Sequence, residues 1–517
     1  MNILFKGHKI SDEQNDALSL FKKMKNGDVL TINAGAGASK TYTCNLLISM
    51  GAPNYQKALV LAFNRLIVEE MRSAFSNNVT IVTTHELARM HTKNFANHRL
   101  ETPLTPSHVI SAFNLPMNIG ELSSRSFVHK LIKLIKQFAS SSQLSVEAYI
   151  ETEGANYMSP SERKQLPTFV YYARKLWDEM INRKSSIPVM HDVYLKEFVQ
   201  RIVSGELVLD YDIIVLDEAQ DSAPIVKLLF EALAGKKIAV GDTFQSIYEW
   251  RMAVNVMETL SKTSSHNAQL TTCYRFGKDI ADLANALIGR FHKRQTEFQG
   301  NPCKKSVIVD SARQRKVNTT ELWLFRTNAE LMGELMSAHK AGIKCELLKD
   351  NKEYLKLIDE AEALFNCNRK HNGILAPFID WQDFENYAMS EAGGEFKSFV
   401  NAVMRYGFKE LREVVQSSMT VKNSKSERQF ATAHACKGIE ADNVILYSDF
   451  DKVIQKMTGK ALIQEANLLY VALTRAKTYL DISRCKTLID IIKHNDETIN
   501  KRVMTDKRNK LAELGLI

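Results

Sequence analysis

Ala34-Gly35-Ala36-Gly37-Ala38-Ser39-Lys40-Thr41 follows the apolar run Val29-Leu30-Thr31-Ile32, with Asn33 between them. A strand, a glycine-rich turn and a helix start, in that order, build a nest of backbone N–H groups for a polyphosphate anion. Lys40 is placed to reach the terminal phosphates, and the Thr41 hydroxyl to ligate Mg²⁺. Two positions depart from the strict glycine pattern, Ala34 at its start and Ser39 before the lysine. Glycine permits the closest backbone approach, so Ser39 is expected to crowd the phosphate.

Asp217-Glu218-Ala219-Gln220-Asp221 closes the run Asp212 to Leu216. Acids at the carboxyl end of a strand lie where an open α/β sheet binds ligands. Asp217 is suited to hold Mg²⁺ and Glu218 to polarise an attacking water. Acids decorating a helix N-terminus are the alternative for this segment alone. Gly241 to Arg251 follows the next strand and carries Gln245, within reach of a phosphate, and Tyr248, Trp250 and Arg251, which suit base stacking. A core tryptophan on a loop is the alternative there. Arg275, in Thr272 to Gly277, and Arg475, in Leu473 to Lys477, could each reach a transferred phosphoryl group. Read singly, each also fits a surface ion pair.

Elements must position these groups. Apolar runs at Ala58–Phe63, Val79–Thr83, Ile213–Leu216 and Lys237–Val240 predict one parallel α/β sheet. Leu322–Phe325, Lys344–Leu348, Val444–Tyr447 and Tyr479–Ile482 predict a second. Each sheet is interrupted by a mainly helical insertion. The expected division is 1–88 with 206–275 as the first core and 89–205 as its insertion. Residues 276–349 with 426–490 form the second core, 350–425 its small insertion, and 491–517 a charged tail.

The bulk composition bounds the class. With 517 residues the chain suggests about three or four domains. It is 45% hydrophobic and 25% charged, an ordinary globular balance. A net charge of +9 permits a nucleic-acid partner without requiring one. Seven scattered cysteines, none in a C-x-x-C pair, indicate neither a disulfide framework nor a zinc site. No apolar run reaches membrane-span length, so no membrane partner is expected.

Taken in order, these motifs resemble those of superfamily 1 DNA helicases of the UvrD/Rep type, from about residue 10 to 485. The resemblance implies two RecA-like P-loop cores with ATP and Mg²⁺ between them. It also implies that Gln14 reads the adenine edge, Tyr274 stacks on adenine, Glu440 sits on the ribose side, and Arg275 reaches the γ-phosphate. Phe63-Asn64-Arg65, Thr84-His85, Tyr248, Trp250 and His434 are implied as single-stranded DNA contacts. Arg326-Thr327-Asn328 would open the second core, and Leu469 to Ala476 matches the last motif. Within the superfamily the chain resembles the F-box DNA helicase group, through Ala62-Phe63-Asn64, His191 to Lys196, Tyr274 to Gly277 and Asn467 to Ala472.

Too little precedes residue 10 to house an F-box, so a stand-alone motor is expected. The activity implied is ATP-dependent 3′-to-5′ DNA helicase or translocase action in replication, recombination or repair. Its partners would be single-stranded DNA and duplex junctions, with recombinase filaments or replication proteins as further candidates. One alternative is a translocase that strips recombinase filaments and unwinds weakly. Another is a non-motor DNA-binding protein whose phosphate loop is impaired by Ser39. A cytoplasmic location in a bacterial or viral host cell is expected, or a nuclear one in a eukaryote.

Overall fold

The computed structural model describes residues 4–494 except 56, 93–98, 101, 103, 249–253, 294–297, 312–319, 349–350, 369–374, 376–377, 390–393 and 421–425. The chain divides into two compact units, Met1–Ala34 with Ser39–Leu270, and Gly35–Ala38 with Thr271–Ile517.

In the first unit, six strands form one parallel sheet: β1 (Val29–Ala34), β2 (Ala58–Ala62), β3 (Val79–Thr83), β4 (Ile213–Leu216), β5 (Lys236–Gly241) and β6 (His266–Leu270). Their order across the sheet is β6-β1-β5-β4-β2-β3. Strands β2 and β4 are buried at every position, which is why they read as unbroken apolar runs. The helices that matter for the site are α1 (Asp12–Lys23), α2 (Lys40–Leu46), α3 (Arg65–Arg72) and α4 (Thr84–His91). Within the insertion they are α5 (Ser124–Ser140), α6 (Leu166–Ile181) and α7 (His191–Val203).

Among the described residues, the insertion shares its core with the sheet. Phe127, Leu131, Phe138 and Phe198 belong to one continuous apolar cluster with Leu59, Leu61, Leu216 and Ala239 of the sheet. Arg99 is buried beside it. Its guanidinium donates to the carbonyls of Glu179, Met180 and Asn182 at the end of α6, and to that of Ile187 on the way to α7.

The second unit repeats the plan with β7 (Val307–Val309), β8 (Glu321–Phe325), β9 (Cys345–Leu347), β10 (Arg428–Thr432), β11 (Ala441–Leu446) and β12 (Ala476–Asp481), all parallel in the order β7-β12-β11-β8-β10-β9. Both units are therefore RecA-like α/β cores, as expected. Among the described residues, four helices lie between β9 and β10 in the second insertion: α8 (Asn351–Phe365), α9 (Trp381–Met389), α10 (Gly394–Tyr406) and α11 (Phe408–Thr420). Trp381, Phe384, Phe399 and Leu411 join Trp323, Phe325 and Phe430 of the sheet in one cluster. Helix α12 (Gly459–Leu473) leads into β12.

Strands β6, β7 and β10 were not evident in the sequence. His266-Asn267-Ala268-Gln269-Leu270 is largely polar, β7 is three residues long, and β10 has two fully buried positions. β6 and β10 present no apolar run and the Val-Ile-Val of β7 is too short to stand out, so hydrogen bonding to a neighbouring strand defines them.

Candidate functional site

Sequence alternation makes β1 a buried strand, and the glycines after it release the chain into α2. Ser39 caps α2 in the left-handed region, at φ 58° and ψ 44°, where glycine normally sits. That conformation aims Lys40 across to the carboxyl end of β4. There Lys40 Nζ lies 2.5 Å from Glu218 Oε1, with both side chains largely buried. Burial would push the Lys40 ammonium down, but Glu218, Asp217 and Asp242 together hold it above the ordinary lysine value.

Glu218 is itself left-handed, at φ 49° and ψ 43°. Gln220 fixes its side chain: Nε2 donates to Glu218 Oε2 at 2.5 Å, while Gln220 Oε1 accepts from the Asp242 N–H at 3.1 Å. Gln245 is buried and donates to Asp242 Oδ2 at 2.8 Å. Asn33 Oδ1 accepts from both the backbone N–H and the hydroxyl of Thr243, tying β1 to the turn after β5.

Asp217 is 5% exposed at the end of β4. A lysine, three nearby carboxylates and the Thr41 hydroxyl at the start of α2 make a donor set that fits phosphates bridged by a divalent cation. Among the described residues, no cluster of three or more histidine, cysteine and acidic side chains is arranged to hold a metal unaided.

Gln14 occupies a capping box. Its Oε1 accepts from the Ser11 N–H at 3.0 Å and its Nε2 donates to the Thr43 hydroxyl at 3.1 Å. The residue implied to read adenine is thus buried and engaged with α1 and α2.

The second unit gathers the remaining nucleotide candidates. Arg275 donates from Nη1 to the Thr474 carbonyl at 2.9 Å and ion-pairs through Nη2 with Glu440. Glu440 also lies 3.8 Å from Lys477. Arg475 is buried, with Nε donating to the Val471 carbonyl at 2.9 Å. The loop tip Gly35–Ala38 groups with this unit. Gly37 has φ +73°, and a Cβ there would stand 2.6 Å from Arg275 Cβ, so only glycine fits. The Gly37 carbonyl accepts from the Tyr274 N–H at 2.9 Å, and the Ala36 N–H donates to the Tyr470 hydroxyl at 3.2 Å. Tyr274 itself is 39% exposed, which leaves its ring available for stacking.

Of the strand-contact candidates, Phe63 and Tyr248 stack on each other with ring centroids 5.6 Å apart at 19°. Phe63 is 37% exposed and Tyr248 only 8%, so Tyr248 backs the ring that Phe63 presents. Asn64 caps α3 by accepting from the Ile67 N–H at 3.0 Å. Thr84 opens α4, and His85 Nε2 lies 3.2 Å from Asp192 Oδ1 of α7. His434 is half-buried in the turn after β10. Arg326 is held by both carboxylate oxygens of Glu465 at 2.6 Å. Trp250 and Arg251 lie outside the described residues.

Sequence reasoning gave no role to Gln220, Asp242 or Asn33. Their polar types at strand ends were a signal, but only the sheet order brings positions 33, 220 and 242 to one edge.

Residues 11–266 match the UvrD/REP helicase N-terminal domain, and residues 384–487 match the UvrD-like helicase C-terminal domain. The chain is 27% identical over 493 residues to F-box DNA helicase protein 1 of Schizosaccharomyces pombe, covering 88% of this chain and 55% of that protein. It is 27% identical over 521 residues to F-box DNA helicase 1 of Gallus gallus, covering 92% and 49%. A probable DNA helicase II homolog of Mycoplasma capricolum is 31% identical over 107 residues, 19% of this chain and 15% of that protein. The chain spans about half the length of the first two relatives.

Proposed function

The chain belongs to the UvrD-like helicase family, and on that premise we propose that it is an ATP-dependent DNA helicase moving 3′ to 5′ along single-stranded DNA in replication, recombination or repair. The observation that carries the reading is the Lys40–Glu218 pair braced by Gln220 and Asp242, beside Asp217. Lys40 and the loop N–H groups would hold the phosphates, and Thr41 and Asp217 would hold Mg²⁺, which when bound would supply charge neutralisation for the phosphates. Glu218 takes the proton of the attacking water, and Gln220 keeps its carboxylate oriented for that transfer. Arg275 and Arg475 serve the transferred phosphoryl group, and Phe63 supplies a stacking face for a base.

ATP hydrolysis measured with and without single-stranded DNA tests the reading. Strong stimulation is expected, and an absence of hydrolysis under both conditions would favour the non-motor DNA-binding alternative. The small second insertion, which carries α8–α11 among its described residues, is compatible with a second reading in which the motor strips recombinase filaments and unwinds poorly. Comparing filament displacement with duplex unwinding by the same preparation separates the two.

A further inference from the structure

Arg275 is anchored differently at its two ends. Its backbone is fixed, with the N–H donating to Cys273 Sγ at 3.2 Å and the carbonyl accepting from Lys304 Nζ at 3.2 Å. The guanidinium is held through Nη1 by the Thr474 carbonyl and through Nη2 by Glu440. Its buried Nε has no hydrogen-bond partner among the described residues, so a donor is left over. A guanidinium turning on a fixed backbone can exchange partners without moving the loop that carries it.

Glu440 is the partner that opposes this exchange. A carboxylate against the guanidinium compensates the charge on which a transferred phosphoryl group draws. Releasing it would leave a partly buried carboxylate without its cation. The fold supplies a second cation. Strands β11 and β12 run parallel with Ala441 opposite Ala476, and the Ala441 N–H donates to the Arg475 carbonyl at 3.1 Å. That register sets Glu440, one residue before β11, beside Lys477, the second residue of β12. Lys477 Nζ lies 3.8 Å from Glu440 Oε2, while Arg275 Nη2 takes Oε1. One carboxylate therefore faces two cations, one at each oxygen.

We propose that Lys477 is a positioning residue for Arg275: by competing for Glu440 it loosens the carboxylate's hold on the guanidinium and lets Arg275 turn to the phosphoryl group. When Arg275 turns, Glu440 closes on Lys477, so the carboxylate keeps a partner throughout. Without Lys477 the whole charge of Glu440 falls on Arg275, and the arginine is withheld. This role of Lys477 rests on the reading above in which Arg275 serves the transferred phosphoryl group.

The test is a double-mutant cycle on steady-state ATP hydrolysis by the full chain with saturating oligothymidine. Lys477→Met is expected to lower kcat about fivefold with KM little changed, the scale of one partly exposed charge pair. The Lys477 side chain is 40% exposed, so the unfolding midpoint should stay close to that of the wild type. Lys477→Arg, which keeps the charge, should retain kcat. In a Glu440→Gln background no carboxylate is left to compete for, and Lys477→Met should then lower kcat by no more than about twofold. A merely structural lysine would cost the same in both backgrounds, so an equal loss on Glu440→Gln would overturn the proposal. Wild-type kcat in Lys477→Met would overturn it as well, while leaving the role of Arg275 intact. Wild-type kcat in Arg275→Ala would instead overturn the reading of Arg275 on which it rests.

Discussion

Ser39 and Glu218 share a property that their types disguise, since both hold left-handed backbone at either end of one ion pair. Non-glycine residues pay roughly 1–2 kcal/mol for that region, and such strain is retained where the surroundings enforce it. Ser39→Gly is therefore expected to raise stability by about 1 kcal/mol, read as a higher midpoint in urea unfolding. Glu218→Gln should keep ATP bound, as judged by a fluorescent nucleotide, while lowering hydrolysis by about 10²–10⁴-fold, the usual contribution of a general base.

Lys196 makes a further case among single residues. It is fully buried against Phe138, 4.4 Å from the ring centroid, and donates to the Ser141 carbonyl at 2.8 Å. Burial lowers its ammonium to about 7, with Glu153 opposing. The unfolded chain then binds more protons than the folded one between that value and the ordinary lysine value near 10.4, so stability rises with pH across that window. Below about 7 both states are protonated and the penalty is constant. Lys196→Met should abolish the rise, which urea midpoints at about pH 7 and pH 9.5 would show; a rise that persisted would assign it elsewhere.

Among the elements, the insertions are extensions of the sheets. The apolar faces of α5, α6 and α7 close over β2 and β4, and α8–α11 close over β8 and β10. One buried arginine joins the end of α6 to the approach to α7. Arg99→Met would leave four carbonyls without their donor, each buried unpaired group costing about 1–3 kcal/mol. A loss of about 3 kcal/mol or more is expected, large enough to lower the melting midpoint by several degrees.

Across the molecule, the nucleotide candidates are distributed over both units. Lys40, Glu218, Gln220 and Asp242 form a braced set in the first, and Arg275, Glu440 and Thr474 a second set in the other. Arg275→Ala should leave nucleotide binding largely intact and reduce hydrolysis by about 10³-fold or more, the scale of an arginine acting on transferred phosphoryl groups. Equal losses in binding and hydrolysis would instead make Arg275 a ground-state binder.

The two parallel α/β cores were legible in the chain alone, because strands such as β2 and β4, buried at every position, are apolar along their length and the phosphate loop needs small residues before Lys40-Thr41. The family motifs were local in sequence, some at a strand end followed by a turn, as at 34–41 and 217–221, and others on helices, as Leu469 at the end of α12. Other features depended on residues far apart in the chain and took shape only on folding. Packing joined Gln14, held locally in a capping box with Ser11, to the Thr43 hydroxyl, and set Tyr248 behind Phe63 as its support. It tied Gln220, which braces Glu218, to the Asp242 N–H 22 residues further along the chain. Sheet order and helix packing bring such positions together, and no periodicity in the chain encodes which distant side chain will stand opposite. The departure at Ser39 shows the division most directly: its type predicted crowding at the phosphate, and the fold shows left-handed strain in its backbone.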